Sequence, residues 1–225
     1  MTGAGDLLRL QAWFSPAFPI GGFAYSHGLE YAVEAGTVHD RESLAGWTKW
    51  LLLHGAGQLD GVFFAAAHRA APDAVAAAAL ADEARAWTGT AEFALESERQ
   101  GEAFLKTLGA AWPHPAIHML AGLLEDRPPL SVAAGFAASA HGVALEPALA
   151  CYLHAFTAMI VSAGVRLVPL GQTDGQRIAA ELEPSILDAA AMAAATPPEE
   201  AGTAAPAAEI FSMRHETQYS RIFRS

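Results

Sequence analysis

Sulfur and charge are what this 225-residue chain has least of. A single cysteine, Cys151, permits neither an internal disulfide nor a thiolate metal cluster, and it suits a reducing compartment. Charged residues make up only 16% of the sequence, 13 Lys and Arg against 24 Asp and Glu, for a formal net charge of −11. That acidic balance argues against nucleic acid or anionic lipid as the main partner. Val, Ile and Thr are sparse, and no run alternates apolar and polar residues as a half-buried strand does. The residues from Met1 to Asp6 lack the basic and apolar regions of a signal peptide, so a cytoplasmic location is expected.

Catalytic signatures are missing as well. The chain holds no P-loop, no dinucleotide-binding glycine fingerprint, no paired-histidine zinc motif and no nucleophile elbow. On a chain so poor in charge, these absences together lead to the expectation that it is not an enzyme.

What is present is alanine and a 52% hydrophobic composition, enough for a sizeable core in one large domain. The pattern predicts an all-α, single-domain bundle of about nine to ten helices spanning 1–195. Asp6 to Trp13 reads as a first short helix. Asp40 or Ser43 opens a long one running past Leu59 toward Phe63 and Phe64, where Gly55, Gly57 and Gly61 either weaken it or let a neighbour approach closely. Asp73 and Thr90 read as caps of the following helices, and Ser131 of another. Ala148 to Val165 carries no formal charge and approaches the length of a membrane span. Without a second such segment or basic flanks it reads as a buried central helix, with no membrane partner. Thr173 begins a helix that Pro184 is expected to kink or end near Glu183. Residues 196–208, rich in small residues and proline, read as a flexible linker, and 209–225 as a tail.

The most informative segment runs from Ser15 to Glu30. Pro16, Pro19, Gly21, Gly22 and Gly28 preclude an ordinary helix or central strand, while Phe18, Phe23, Tyr25 and His27 put large side chains on a shaped loop. Such aromatics either fill a core or anchor a partner protein. The tail changes character: Arg214, Arg221 and Arg224 outnumber Glu209 and Glu216, beside Ile210, Phe211, Met213, Tyr219, Ile222 and Phe223. It reads either as a loose terminus or as a segment that orders on a partner. Arg166 to Arg177 joins the apolar helix to the next one. Arg166 either satisfies the last carbonyls of its helix or presents a fixed cation outward.

Other polar groups have plainer readings. Glu96 to Glu102 reads equally as a solvated helix face. His114 and His118, four apart, have the spacing of two metal ligands but no third ligand nearby in sequence, and read as a polar helix start. His54, His141, His154 and Cys151 read as core residues. The stripe Ala133, Ala134, Gly135, Ala138 and Gly142 allows close helix packing, either within the chain or across a dimer.

In order and spacing, three stretches together (15–30, 166–177 and 215–225) resemble the urease accessory protein UreF family. The resemblance implies an all-α protein without catalytic chemistry. It would join the accessory protein UreD (UreH in some organisms) to the GTPase UreG, regulate that GTPase, and help load nickel into apo-urease, usually as a homodimer in the complex. Nickel is then cargo, with no cofactor and no metal site expected in this chain. An internal passage through UreF and UreD is the proposed nickel route in that family. By the same likeness, Arg166 couples to UreG, Phe23 and Tyr25 lie on a partner-binding loop, and Arg221 lies in a terminal motif of complex assembly. The partner-binding candidates are therefore Phe23, Tyr25, Arg166, Gln172, Arg214, Tyr219, Arg221 and Phe223. Two alternatives stand beside this: a helical enzyme with a pocket around His27, Glu30 and Arg166, and a nickel-binding protein using His114 and His118.

Overall fold

Local capping chemistry sets where several helices begin. The computed structural model describes residues 3–125 and 127–225. Asp40 Oδ1 accepts from the Ser43 amide at 2.8 Å and starts α3, Arg41–His54. Asp73 accepts from the amides of Val75 and Ala76 and starts α5, Ala74–Trp87. Thr90 accepts from Phe93 and starts α6, Ala91–Ala111. Each such cap contributes about 1 kcal/mol. The remaining α-helices are α1 (Ala4–Trp13), α2 (Leu29–Glu34), α4 (Ala56–Ala70), α7 (Pro115–Leu124), α8 (Leu130–Ala140), α9 (Leu145–Leu167), α10 (Gln172–Ala195) and α11 (Pro206–His215). Short 3-10 turns cover Gly22–Ala24 and Pro198–Glu200, and the described residues form no strand. Ten helices thus have ten residues or more, and α2 adds a short one.

The charge-free stretch lies within α9, between Glu146 and Arg166, and this helix is the hub. It is long and apolar enough to cross a membrane, yet it packs against α2, α3, α4, α8 and α10 and buries Leu149, Leu153, Phe156 and Ile160 among them. The small-residue stripe resolves into packing within the chain. Gly135 of α8 lies so close to α4 that a Cβ there would overlap the Phe64 carbonyl, and its neighbours from Val132 to Ala138 are all buried.

Two expectations differ from the structure, and of the two alternatives for Pro184 one is ruled out. The long helix from Asp40 breaks at Gly55, which lies against Ala205, so two helices replace one. Pro184 does not end α10; the helix continues to Ala195 because Leu182, Ile186, Ala189 and Ala193 are buried on either side of the proline. Ser131 is a buried residue inside α8, whose cap position is Pro129.

The tail also differs from its expectation. The boundary after residue 195 does coincide with the end of α10. The segment that follows, however, is not a free linker. Ala204 donates its amide to the His54 carbonyl at 2.7 Å, Ala201, Ala205 and Ala208 are buried, and α11 begins at Pro206 inside it. Alanine is too small to signal burial by its hydrophobicity, but it fits where helices pass closely. The residues after 209 are likewise packed onto the body and do not form a detached unit.

Candidate functional site

The proline–glycine loop is shaped to receive the C-terminal segment. Gly28 takes φ +75°, and a Cβ on it would stand 3.2 Å from the Ala208 carbonyl, so glycine serves both the left-handed turn and the close approach of α11. His27 beside it has φ +56°, costly for a residue with a Cβ. Its ring stacks parallel on Phe93 with centroids 3.8 Å apart and meets Phe156 edge-on, which holds it there.

Two buried glutamates on separate helices hold the segment. Glu30 of α2 accepts from the amides of Ile222 at 2.7 Å and Phe223 at 2.9 Å, and its Oε2 lies 3.1 Å from His215 Nε2. Glu92 of α6 faces His215 Nδ1 at 2.9 Å and accepts from Arg221 at 3.2 Å. Its carboxyl is raised above the usual range by burial, opposed by His215 and Arg221. One turn further along α6, Glu96 accepts from the Ser225 hydroxyl at 2.7 Å, lies 3.3 Å from His27 Nδ1 and accepts from Gln100. Ser26 donates its amide to the Ser225 carbonyl at 2.8 Å, and Arg224 donates to Ala24. Loop and tail are therefore joined backbone to backbone as well as through side chains.

Arg166 completes the cluster at the end of α9. Its Nη1 donates to the Phe23 carbonyl at 2.9 Å and its Nε to Ser162. Its guanidinium carbon lies 3.8 Å from the centroid of Phe23 and 4.3 Å from that of Phe223. Of the two readings open for Arg166, the structure shows the first: it bonds a carbonyl at the end of its own helix, and its guanidinium also reaches both aromatic rings. Phe23 remains 74% exposed while Phe223 is 4% exposed, so one ring is the platform and the other the buried peg.

Beneath the loop lies a cavity of about 550 Å³ whose lining includes Pro16 and Phe23 of the loop and Gly89, Ala205 and Glu209 around the start of α11. Asp60 lines its interior and accepts from the Tyr152 hydroxyl at 2.7 Å. Burial raises the Asp60 pKa to about 6, against the lowering effect of Tyr152. His27 Nε2, also at the cavity, is buried with no protein partner.

The eight expected docking residues therefore divide. Phe23, Arg166 and Phe223 meet. Arg221 pairs with Glu92, and Tyr25 is core, 4% exposed. Gln172, at the first position of α10, and Arg214 and Tyr219 are exposed. Glu92, Glu96, Gln100 and Gly101 form a buried face of α6, while Glu98 and Glu102 lie on its half-exposed side, where Glu102 pairs with Arg99, so the helix carries one face of each kind. The i, i+4 repeat at 92, 96 and 100 was the available signal for the buried face. Of the pocket expected around His27, Glu30 and Arg166, His27 and Arg166 line the cavity beneath the loop, while Glu30 is engaged by His215, Ile222 and Phe223 instead. His114 caps α7, its Nδ1 accepting from Ala116, and rests edge-on against the His141 ring. Among the described residues no group of three or more His, Cys, Asp or Glu is arranged to hold a metal ion.

Comparison with known proteins bears on this arrangement. The family model for UreF matches residues 38–183. A urease accessory protein UreF from Rhodopseudomonas palustris (strain BisB5) is 45% identical over 224 residues, covering 99% of this chain and 92% of that protein. Its counterpart from Granulibacter bethesdensis is 46% identical over 226 residues, covering all of this chain and 96% of that one. The chain belongs to the UreF family of urease accessory proteins. The likeness to these UreF proteins extends beyond the matched core through both the loop and the tail, and Agrobacterium fabrum UreF repeats it at 46% over 224 residues.

Proposed function

We propose that this UreF-family protein is a non-catalytic adaptor of urease maturation. It joins UreD (UreH in some organisms) to the GTPase UreG while nickel is loaded into apo-urease, regulates that GTPase, and works as a homodimer in the cytoplasm, with nickel passing as cargo. The observation that carries this reading is the engagement of Arg166 by both Phe23 and Phe223. It gathers loop, central helix and tail into one pre-ordered patch of cation and aromatics, the composition that dominates binding hot spots. Side chains already immobilised lose little further entropy on association. Tyr219, Ile222 and Arg214 of the same C-terminal segment are exposed as well.

Capture of purified UreG and UreD by Phe23→Ala, Arg166→Ala, Tyr219→Ala and Arg221→Ala tests the reading. Hot-spot truncation lowers capture of one partner by about 30-fold or more. Wild-type capture of both partners by all four variants would overturn it.

An all-helical enzyme is the second reading, and Asp60 with Tyr152 in the cavity is the observation in its favour. A carboxyl with pKa about 6 hydrogen-bonded to a phenol is a feasible acid–base pair. The buried Ser131 hydroxyl also approaches Asp60, and turnover by the isolated protein decides this reading.

A further inference from the structure

His215 is fully buried, and each of its ring nitrogens faces a carboxylate, Glu92 at 2.9 Å and Glu30 at 3.1 Å. A neutral imidazole carries one N–H and an ionised carboxylate carries none. Two nitrogen-to-carboxylate contacts need two hydrogens. The docked cluster therefore holds one proton more than a neutral ring facing two ionised carboxylates, whether it sits on the ring or on one of the acids.

The surrounding charges are few. Arg221 bonds Glu92, and Glu216 works against ionised Glu92. On the α2 side Glu34 accepts from Gln218, and on the α6 side Glu96 is taken by His27 and Ser225. Arg214 on α11 points into solvent, and Glu209 is bonded by Thr203. Among the described residues no Lys or Arg forms an ion pair with Glu30. Once the segment is released, histidine and glutamate return to water, where free histidine gives up its proton near pH ~6.5.

We propose that Glu30, His215 and Glu92 form a proton-dependent latch that holds residues 206–225 on the body, the segment docking with one proton and loosening as pH rises. Because the docked state binds the additional proton, docking is strongest between the ordinary glutamate and histidine values, ~4.3 and ~6.5. Above the latter the docking equilibrium weakens by up to about tenfold per pH unit, until the docked cluster itself loses the proton. The same segment walls the cavity through Ala208 and Glu209, so the latch also controls access from the side of α11. It is a property of the single chain and stands or falls independently of the adaptor reading.

Hydrogen–deuterium exchange of the full chain between pH 6 and 9, corrected for intrinsic rates, tests it. Protection of residues 206–225 is expected to fall up to about tenfold per unit above neutrality while α4 and α8 keep theirs. Glu92→Gln supplies the missing hydrogen to a neutral Nδ1, and His215→Gln removes the titrating ring. A flat profile in these variants, at any level of protection, supports the latch. A flat wild-type profile overturns it, as does the wild-type slope persisting in both variants.

Discussion

Arg166 and Phe223 are in cation–π contact, guanidinium carbon 4.3 Å from ring centroid, although one ends the central helix and the other belongs to the C-terminal segment. The contact depends on a flat, delocalised cation that also donates to the Phe23 carbonyl. Arg166→Lys keeps the charge but loses the stacking plane and the directed donor. An expected loss of about 1 kcal/mol in urea denaturation, with a larger effect on partner capture, checks this.

Gly135→Ala places a methyl group against the Phe64 carbonyl, a backbone atom that cannot rotate aside. Overpacking of this kind costs about 1–3 kcal/mol. Equilibrium unfolding is expected to show that loss, whereas Gly142→Ala, where nothing is crowded, is limited to the strain of φ +75°.

Asp60 provides a pH test. Its native pKa of about 6 lies above the unfolded value of ~3.9, so the native state binds more protons between these two values. Stability from this group therefore falls as pH rises from about 4 to 6, by an amount on the order of 2–3 kcal/mol. In Asp60→Asn that slope disappears, and above pH 6 the variant is expected to be the more stable. Denaturant midpoints of the two proteins at pH 5 and 7 measure the difference.

Truncation after His215 removes the buried Phe223 ring and leaves Glu30 without two of its amide donors. Lost burial of the ring alone is about 1.5–3 kcal/mol. Thermal unfolding is expected to move several degrees lower. An unchanged midpoint would mean that the segment is not docked in solution.

Much of the helical content was legible because it rests on local signals. Asp40, Asp73 and Thr90 cap where their side chains predict. The break at Gly55 and the passage of α10 through Pro184 were not legible, since neighbouring helices decide both. The site was half legible. Phe23, Arg166 and Phe223 were identifiable as candidates, but their meeting was not, nor was the burial of Tyr25.

The hydrophobic pattern and alanine-rich composition by themselves determined an all-α chain around one apolar helix, because helical periodicity is written within a few neighbouring residues. Only the tertiary structure decided that 196–225 belongs to the body. That segment has few large apolar residues, and its docking depends on Glu30, Glu92 and Glu96 waiting on two distant helices. Acceptors that far apart in sequence find their donors only once the bundle has brought α2 and α6 together.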